Sequence, residues 1–358
     1  MAERIAGLVT DNIWDHVVGQ PNAVRRLRAS VTDPLHAYLF VGPAGSTKNE
    51  AARAFAAAML SGGEDPHQRD ARLALEGVHP DAREFARVGA AISRDQADEI
   101  IRLASLAPTE GNRKVLILEE FHLLSPEAAA KLLKTIEEPP ASTVFVILAD
   151  YMPADLVTIA SRCIRIDFVP VPDTTVIETL LAEGVSHDRA MESAAAAQGN
   201  LTRARLLAND THLAARRALF AGTPRQLDGT GRAAVAAVDA LLVEIEAAAA
   251  PLTQRHADEV TAMEERIKSM GERGSGKKTL EERHKRELRR HRIDEFRFGL
   301  ATMAGSYRDA LVGGTLTRPD EAAKAVTRIH EALEALDRNP NEQLLLQALM
   351  LELPPISG

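Results

Sequence analysis

Residues 38–49 read YLFVGPAGSTKN, and the fold turns on how they are read. Tyr38 to Val41 have the length and apolar composition of a strand buried on both faces. They run into Gly42-Pro43-Ala44-Gly45-Ser46-Thr47-Lys48-Asn49, and a helical pattern follows. A strand, then GxxxxGK[ST], then a helix makes a phosphate-binding loop. The glycines let backbone N–H groups curl around phosphate oxygens, and the helix N-terminus adds positive dipole. The lysine neutralises the outer phosphates, and the Ser/Thr hydroxyl holds magnesium. Gly42, Gly45 and Lys48 keep this pattern, but Thr47 stands in place of the glycine before the lysine, and Asn49 in place of the hydroxyl. A β-branched residue resists unusual backbone angles and crowds the phosphate. An asparagine amide lacks the hydroxyl. The site is therefore expected to be a degenerate nucleotide site, with residual ATP binding left open.

Outward from the loop, residues 115–118 (VLIL) and 143–148 (TVFVIL) are further short apolar runs, and 164–168 (IRIDF) alternates. Helical patterns lie over 48–60, 94–105 and 126–138. Alternating strands and helices predict a doubly wound parallel sheet with helices on both faces. The run 115–118 ends in Glu119-Glu120. Beside a phosphate loop, two carboxylates at a strand end either manage magnesium and the attacking water or cap the next turn. In the first role Glu119 is one methylene longer than the usual aspartate, and Glu120 is the water-positioning base. Alternation stops at Pro170 and Pro172, which read as a linker. Residues 171–232 then predict a small helical lid, broken near Gly184 and Gly199, and 233–358 an all-α domain. Within it, 255–292 is strongly charged: either a solvated hairpin broken at GERGSG (271–276), or a basic arm, HKRELRRHR, that touches nucleic acid. Ile293, Phe296, Leu300, Met303, Tyr307 and Leu311 recur at helical spacing as a core or subunit-interface stripe. Gly271 to Lys277 also fits GxxxxGK, but Lys278 follows and no strand precedes, so it is rejected as a nucleotide site. No internal repeat stands out.

The 358 residues suffice for two or three domains. A composition of 45% hydrophobic and 26% charged residues suits a globular protein, and a net charge of -8 argues against a chain that grips DNA alone. One cysteine, Cys163, excludes an intrachain disulfide and a four-cysteine zinc site. It reads as a buried small hydrophobe rather than a nucleophile. His36 and His122 read as packing or hydrogen-bonding residues. No signal-peptide core and no run of membrane-spanning length is present, so no membrane association and a cytoplasmic location are expected.

The stretch VLILEEFHLLSPEAAAKLLKTIEEPPASTVFVILA, followed by TIASRCIRI, resembles the bacterial clamp-loader subunits of DNA polymerase III, which are AAA+ proteins. Val18-Gly19-Gln20, His36-Ala37-Tyr38-Leu39-Phe40 and His79-Pro80-Asp81 agree. Gly199-Asn200-Leu201-Thr202-Arg203-Ala204-Arg205 is similar to the lid motif that carries a sensor arginine, here Arg203. The likeness covers 13–168 strongly and 232–338 weakly, and 339–355 looks like the end of the family's collar. It implies an AAA+ domain over 1–170, the lid, and a collar that oligomerises. Thr47, Asn49 and Glu119, with Ala149 or Asp150 at the family's sensor position, favour the delta-prime type, without intrinsic ATPase or polymerase activity. The alternative is an autonomous AAA+ ATPase, a motor subunit or a helicase-like motor. The resemblance further implies a ring with clamp-loader ATPase subunits and a clamp-opening subunit, acting on the sliding clamp and on primer-template DNA. Arg162 of Ser161-Arg162-Cys163 would then be an arginine finger in a neighbour's ATP site, the alternative being a surface arginine before a strand. Arg94 and Arg102, on a helix starting at Ser93, become DNA-contact candidates. The family's four-cysteine zinc module has no counterpart in SGGEDPHQRDARLALEGV (61–78), so no zinc is expected.

Overall fold

The computed structural model describes residues 12–87, 91–270, 277–315, 318–336 and 340–356. The chain divides into two compact units, Met1–Ala208 and Asn209–Gly358. The first is built on five parallel strands: β1 (Ala37–Val41), β2 (Ala82–Phe85), β3 (Lys114–Leu118), β4 (Thr143–Ala149) and β5 (Ile164–Asp167). Their order across the sheet is β2-β3-β4-β1-β5. Leu39 pairs in register with Ile147, and Leu118 pairs with Ile147 from the other side. β1, β3 and β4 are buried along their whole lengths, as strands covered on both faces must be.

Successive residues serve opposite faces. Tyr38, Phe40, Val146 and Leu148 join one apolar layer, and Leu39, Val41, Phe145 and Ile147 the other. The first layer includes residues of α1 (Pro21–Ser30), α2 (Lys48–Ser61) and α3 (Arg69–Leu75). The second includes residues of α4 (Arg94–Ser105), α5 (Pro126–Glu137) and α6 (Val157–Ala160). The edge strand β2 went unread because it is neither apolar nor alternating: it reads AREF, Arg83 is exposed, and the Glu84 carboxylate takes a two-pronged bond from Arg53 at 2.6 and 2.7 Å.

Three lid helices complete the first unit: α7 (Asp173–Ala182), α8 (His187–Ala197) and α9 (Leu201–Ala208). They break at Gly184 and Gly199, whose φ values of 86° and 78° are left-handed. A Cβ on Gly199 would lie 2.6 Å from Pro170 Cβ, so this glycine also lets the lid meet the linker.

Among the described residues the regular elements of the second unit are helices: α10 (Leu213–Gln226), α11 (Gly231–Ala247), α12 (Ala250–Met270), α13 (Lys277–Val312), α14 (Pro319–Ala335) and α15 (Glu342–Glu352). The unit boundary falls inside the span expected for the lid. α10 lies beyond it because Phe220 packs on α13, against a backbone left bare at Gly299, where a Cβ would meet the ring at 2.3 Å. Phe296, Leu300, Met303 and Tyr307 are fully buried in this unit's own core. That part of the stripe is interior and does not form a subunit interface. α12 and α13 pair as a charged hairpin, while the expected break at 271–276 lies outside the described residues.

The core of this unit also holds charge. Arg216 on α10 is 1% exposed and bonds Asp210 at 2.6 Å and Glu295 on α13 at 2.7 Å. Removing one member of a buried ionic group strands the others. Arg216→Ala is therefore expected to cost the second unit about 3–5 kcal/mol, read as faster hydrogen exchange across α10 and α13 with the first unit unaffected.

Candidate functional site: the loop between β1 and α2

Adjacent strands β1 and β4 bring the loop and the end of β4 together. Gly42 donates its N–H to Ala149 O at 3.1 Å, and a Cβ on it would lie 2.5 Å from Phe168 Cβ. This glycine is therefore required by packing alone, whatever the ligand. Lys48, the first residue of α2, is 5% exposed. Its ammonium does not face open solvent: it meets Asp150 Oδ1 at 2.7 Å and donates to Pro43 O at 3.0 Å. Asp150, next after β4, also receives His122. The Asp150 N–H donates to His122 Nδ1 at 3.1 Å, and His122 Nε2 lies 3.8 Å from Asp150 Oδ2. The charge that an outer phosphate would balance is balanced by the chain itself.

Thr47 adopts the left-handed conformation, φ 60° and ψ 20°, where the loop pattern has glycine. Such a conformation costs a β-branched residue about 1–2 kcal/mol. Its hydroxyl offsets part of that by donating to Val18 O at 3.0 Å. Ser46 Oγ is buried without a hydrogen-bond partner. Gln20 ties the loop to the linker, with Nε2 donating to Ser46 O at 3.0 Å and to Val169 O at 2.7 Å. Gly45 has φ 73°, and a Cβ there would fall 1.9 Å from Asn200 Oδ1. Leu201 N donates to Gly45 O at 3.2 Å. The lid thus sits on the loop through Asn200, which also caps α9 by accepting from Arg203 N at 2.9 Å. Arg203 is buried, with Nε 3.4 Å from Ala196 O, and Asn49 is exposed on the first turn of α2.

The carboxylates after β3 separate. Glu119 N donates to Phe85 O at 2.9 Å, and the Glu119 charge helps to hold the Arg53 guanidinium above its ordinary value, behind the larger effect of the Glu84 hydrogen bond. Glu120, itself left-handed at φ 50°, is in an ion pair with Arg87 at 2.9 Å. The carboxylate read as a water-positioning base or a turn cap is thereby engaged by a guanidinium. The sequence pattern signalled Gly42, Gly45, Thr47 and Lys48. It did not signal that Asp150 and Asn200 occupy the loop's surroundings; the acid directly after β4 was the available sign.

Arg162 follows α6 and is about one-third exposed at 34%. Nε donates to the Glu137 carboxylate, and one Nη donates to Thr158 O at 2.7 Å and Ser161 Oγ at 3.1 Å. Its neighbour Cys163 donates to Ile159 O at 3.2 Å, and burial pushes its thiol up to about 12, so it stays protonated. Arg94 and Arg102 are exposed on α4. The start of that helix is closed by Ser93 Oγ accepting from Gln96 N at 3.3 Å, with Gln96 reaching back to Ser93 N.

Residues 61–78 hold α3, and beside it Asp70, His79 and Glu110 converge. Arg69 fills this cluster, at 2.8 Å from Asp70 and 2.7 Å from Glu110. His79 Nδ1 accepts from Asp81 N at 3.0 Å, which leaves the ring proton on Nε2 towards Asp70, 3.6 Å away. The three ligand atoms lie close enough together to hold a metal ion, and the Arg69 guanidinium supplies the positive charge the two carboxylates meet.

Sheet order, loop and lid together define a P-loop α/β domain of the AAA+ class. Residues 19–172 match the protein-family model described as "DNA polymerase III, delta subunit". The DNA polymerase III subunit delta' of Bacillus subtilis (strain 168) is 31% identical over 173 residues, 47% of this chain and 53% of that protein. The subunit tau of the same organism is 34% identical over 173 residues, 46% of this chain and 30% of that protein. A crystal structure of a DNA polymerase III gamma subunit-related protein from Thermotoga maritima is 17% identical, covering 92% of this chain and 99% of that one with a TM-score of 0.43. The first unit therefore carries a domain similar to these DNA polymerase III subunits, delta' and tau alike. The chain spans about half or less of the length of the curated relatives it matches. Among the described residues no helix is long and apolar enough to cross a membrane.

Asp150→Asn tests the self-neutralised loop. Without the acid, Lys48 is available to an external anion. The variant should bind pyrophosphate at least about tenfold more tightly than the unmodified chain, about 1.4 kcal/mol, by isothermal titration calorimetry.

Proposed function

We propose that this chain is a delta-prime-type subunit of the DNA polymerase III clamp loader, which helps to load the sliding clamp in the cytoplasm without hydrolysing ATP itself. The observation that carries this reading is the buried Lys48–Asp150 pair inside a loop already altered at Thr47 and Asn49. Hydrolysis needs magnesium at the loop hydroxyl, an acid to hold it and a group to orient water. Asn49 supplies no hydroxyl, Glu119 is too long, and Glu120 is paired with Arg87. Neither nucleotide nor zinc is required, though weak ATP binding is compatible with the fold.

The subunit would serve its neighbours. Arg162 is partly exposed and held by Glu137, and it carries the planar fork that suits a γ-phosphate in an adjoining ATPase subunit. A modest movement that exchanges Glu137 for phosphate would place it in trans. Partners on this reading are the clamp-loader ATPase subunits and the clamp-opening subunit in a hetero-oligomeric ring. The second unit would join that ring through surface left apolar on α11 and α15, where Val243 is 67% and Leu344 62% exposed. Arg94 and Arg102 would touch the primer-template backbone only within the complex, since Asp95 lies between them in sequence and the net charge is -8.

An autonomous AAA+ motor is the competing reading, and turnover separates the two. The isolated chain should show no magnesium-dependent ATPase; turnover comparable with an intact clamp-loader motor rejects the proposal. In a reconstituted complex changed only here, Arg162→Ala should assemble normally yet lose part of the DNA- and clamp-stimulated ATPase. A finger is worth about 10³–10⁵ at the single site it completes, whereas other sites keep working. Clamp loading should fall further than hydrolysis. Arg162→Lys should behave like alanine because it keeps the charge and loses the fork. Unchanged hydrolysis and loading would make Arg162 a surface residue.

A further inference from the structure

The charged hairpin contains a short pattern twice. Arg255-His256-Ala257-Asp258-Glu259 lies on α12, and Arg283-His284-Lys285-Arg286-Glu287 lies on α13. Both read Arg-His-x-x-Glu, and pairing of the helices sets one against the other. The two imidazoles stack with centroids 3.8 Å apart and planes within 8°. Both are buried, at 6% and 7%, within a segment rich in exposed charge. Each histidine reaches across: His256 Nε2 meets Glu287 at 2.9 Å, and His284 Nε2 meets Glu259 at 3.0 Å. A nitrogen facing a carboxylate oxygen is the donor, so each ring carries its proton on Nε2.

The surrounding charges already cancel. Glu259 receives Arg283 and, at 3.5 Å, Arg255. Glu287 receives Arg255 and, at 3.6 Å, Arg283. Among the described residues, these two guanidiniums and two carboxylates are the charged groups in contact with one another and with the rings. Neutral rings leave the cluster balanced. A proton on either ring adds an uncompensated charge to a buried stack, and a second proton sets two cations face to face. Both carboxylates are already shared between two arginines and have little left to offer an imidazolium.

We propose that the α12–α13 hairpin is a proton-operated clasp, closed while His256 is neutral and loosened when His256 takes a proton against its stacked partner. Burial is the largest influence on His256 and holds its imidazole below the ordinary value; the neighbouring His284 and Arg255 act the same way, against Glu287. The sign follows from linkage. A histidine whose folded value is depressed contributes its full stabilisation above the unfolded value, about 6.5, and loses it as pH falls towards the folded value. The clasp is therefore shut at neutral pH and opens under mild acid.

Hydrogen exchange of the full chain tests this. After correction for chemical exchange, α12 and α13 should exchange about tenfold faster or more at about pH 5.5 than at about pH 7.5, whereas the first unit changes little. His256→Gln/His284→Gln keeps an N–H donor for each glutamate and cannot titrate, so its exchange should not respond to pH over that range. A pH-independent unmodified chain overturns the proposal, and so does a double variant that keeps the pH response. Should the double variant open the hairpin at neutral pH, NMR titration of the unmodified chain decides. With the His256 resonance assigned, a midpoint below about 6.5 supports the clasp, and one at or above it overturns it.

Discussion

The ammonium of Lys48 has to be neutralised where it stands, and much of the first unit is arranged around that need. A buried, unpaired ammonium is expensive by several kcal/mol. Lys48 opens α2, and α2 is held beneath the sheet by a row of fully buried alanines and Phe55. The position of the lysine backbone is therefore fixed by the core. Asp150 meets it because β4 lies beside β1 and ends level with it, Val41 opposite Ala149. The same level brings His122 onto Asp150 and the lid's Asn200 onto Gly45. Here a neighbouring strand end supplies the counter-charge.

That arrangement also explains how the altered residues are tolerated. Thr47 keeps a glycine-like backbone because Val18 O receives its hydroxyl, and Gln20 fixes the loop from the same segment. The strain is local and its compensation comes from residues far away in sequence, as expected where a surrounding structure over-determines a backbone. Beside α3, the guanidinium of Arg69 gathers Asp70 and Glu110 next to His79. The second unit carries its own internal ions, Arg216 between Asp210 and Glu295 within an otherwise apolar core. Such groups contribute little net stability compared with apolar packing.

The sequence by itself determined the alternation of strand and helix, since buried parallel strands are uninterrupted apolar runs and the helices carry 3.6-residue periodicity. β1, β3, β4 and β5, helices α2, α4 and α5, the lid breaks at Gly184 and Gly199, and the loop with its losses at Thr47 and Asn49 were all legible. β2 was not, because an edge strand bearing Arg83 and Glu84 has no apolar run to announce it. The stripe from Phe296 to Tyr307 was legible as apolar, but a stripe does not say whether it faces its own chain or another. Only tertiary structure decided that it is core. Only tertiary structure, too, placed Asp150 on Lys48, Asn200 on Gly45, Arg87 on Glu120 and His256 on His284. The reason is physical. Local pattern reports which face of an element avoids water, whereas the partner of a charge is set by which elements become neighbours in space, and that depends on the whole fold.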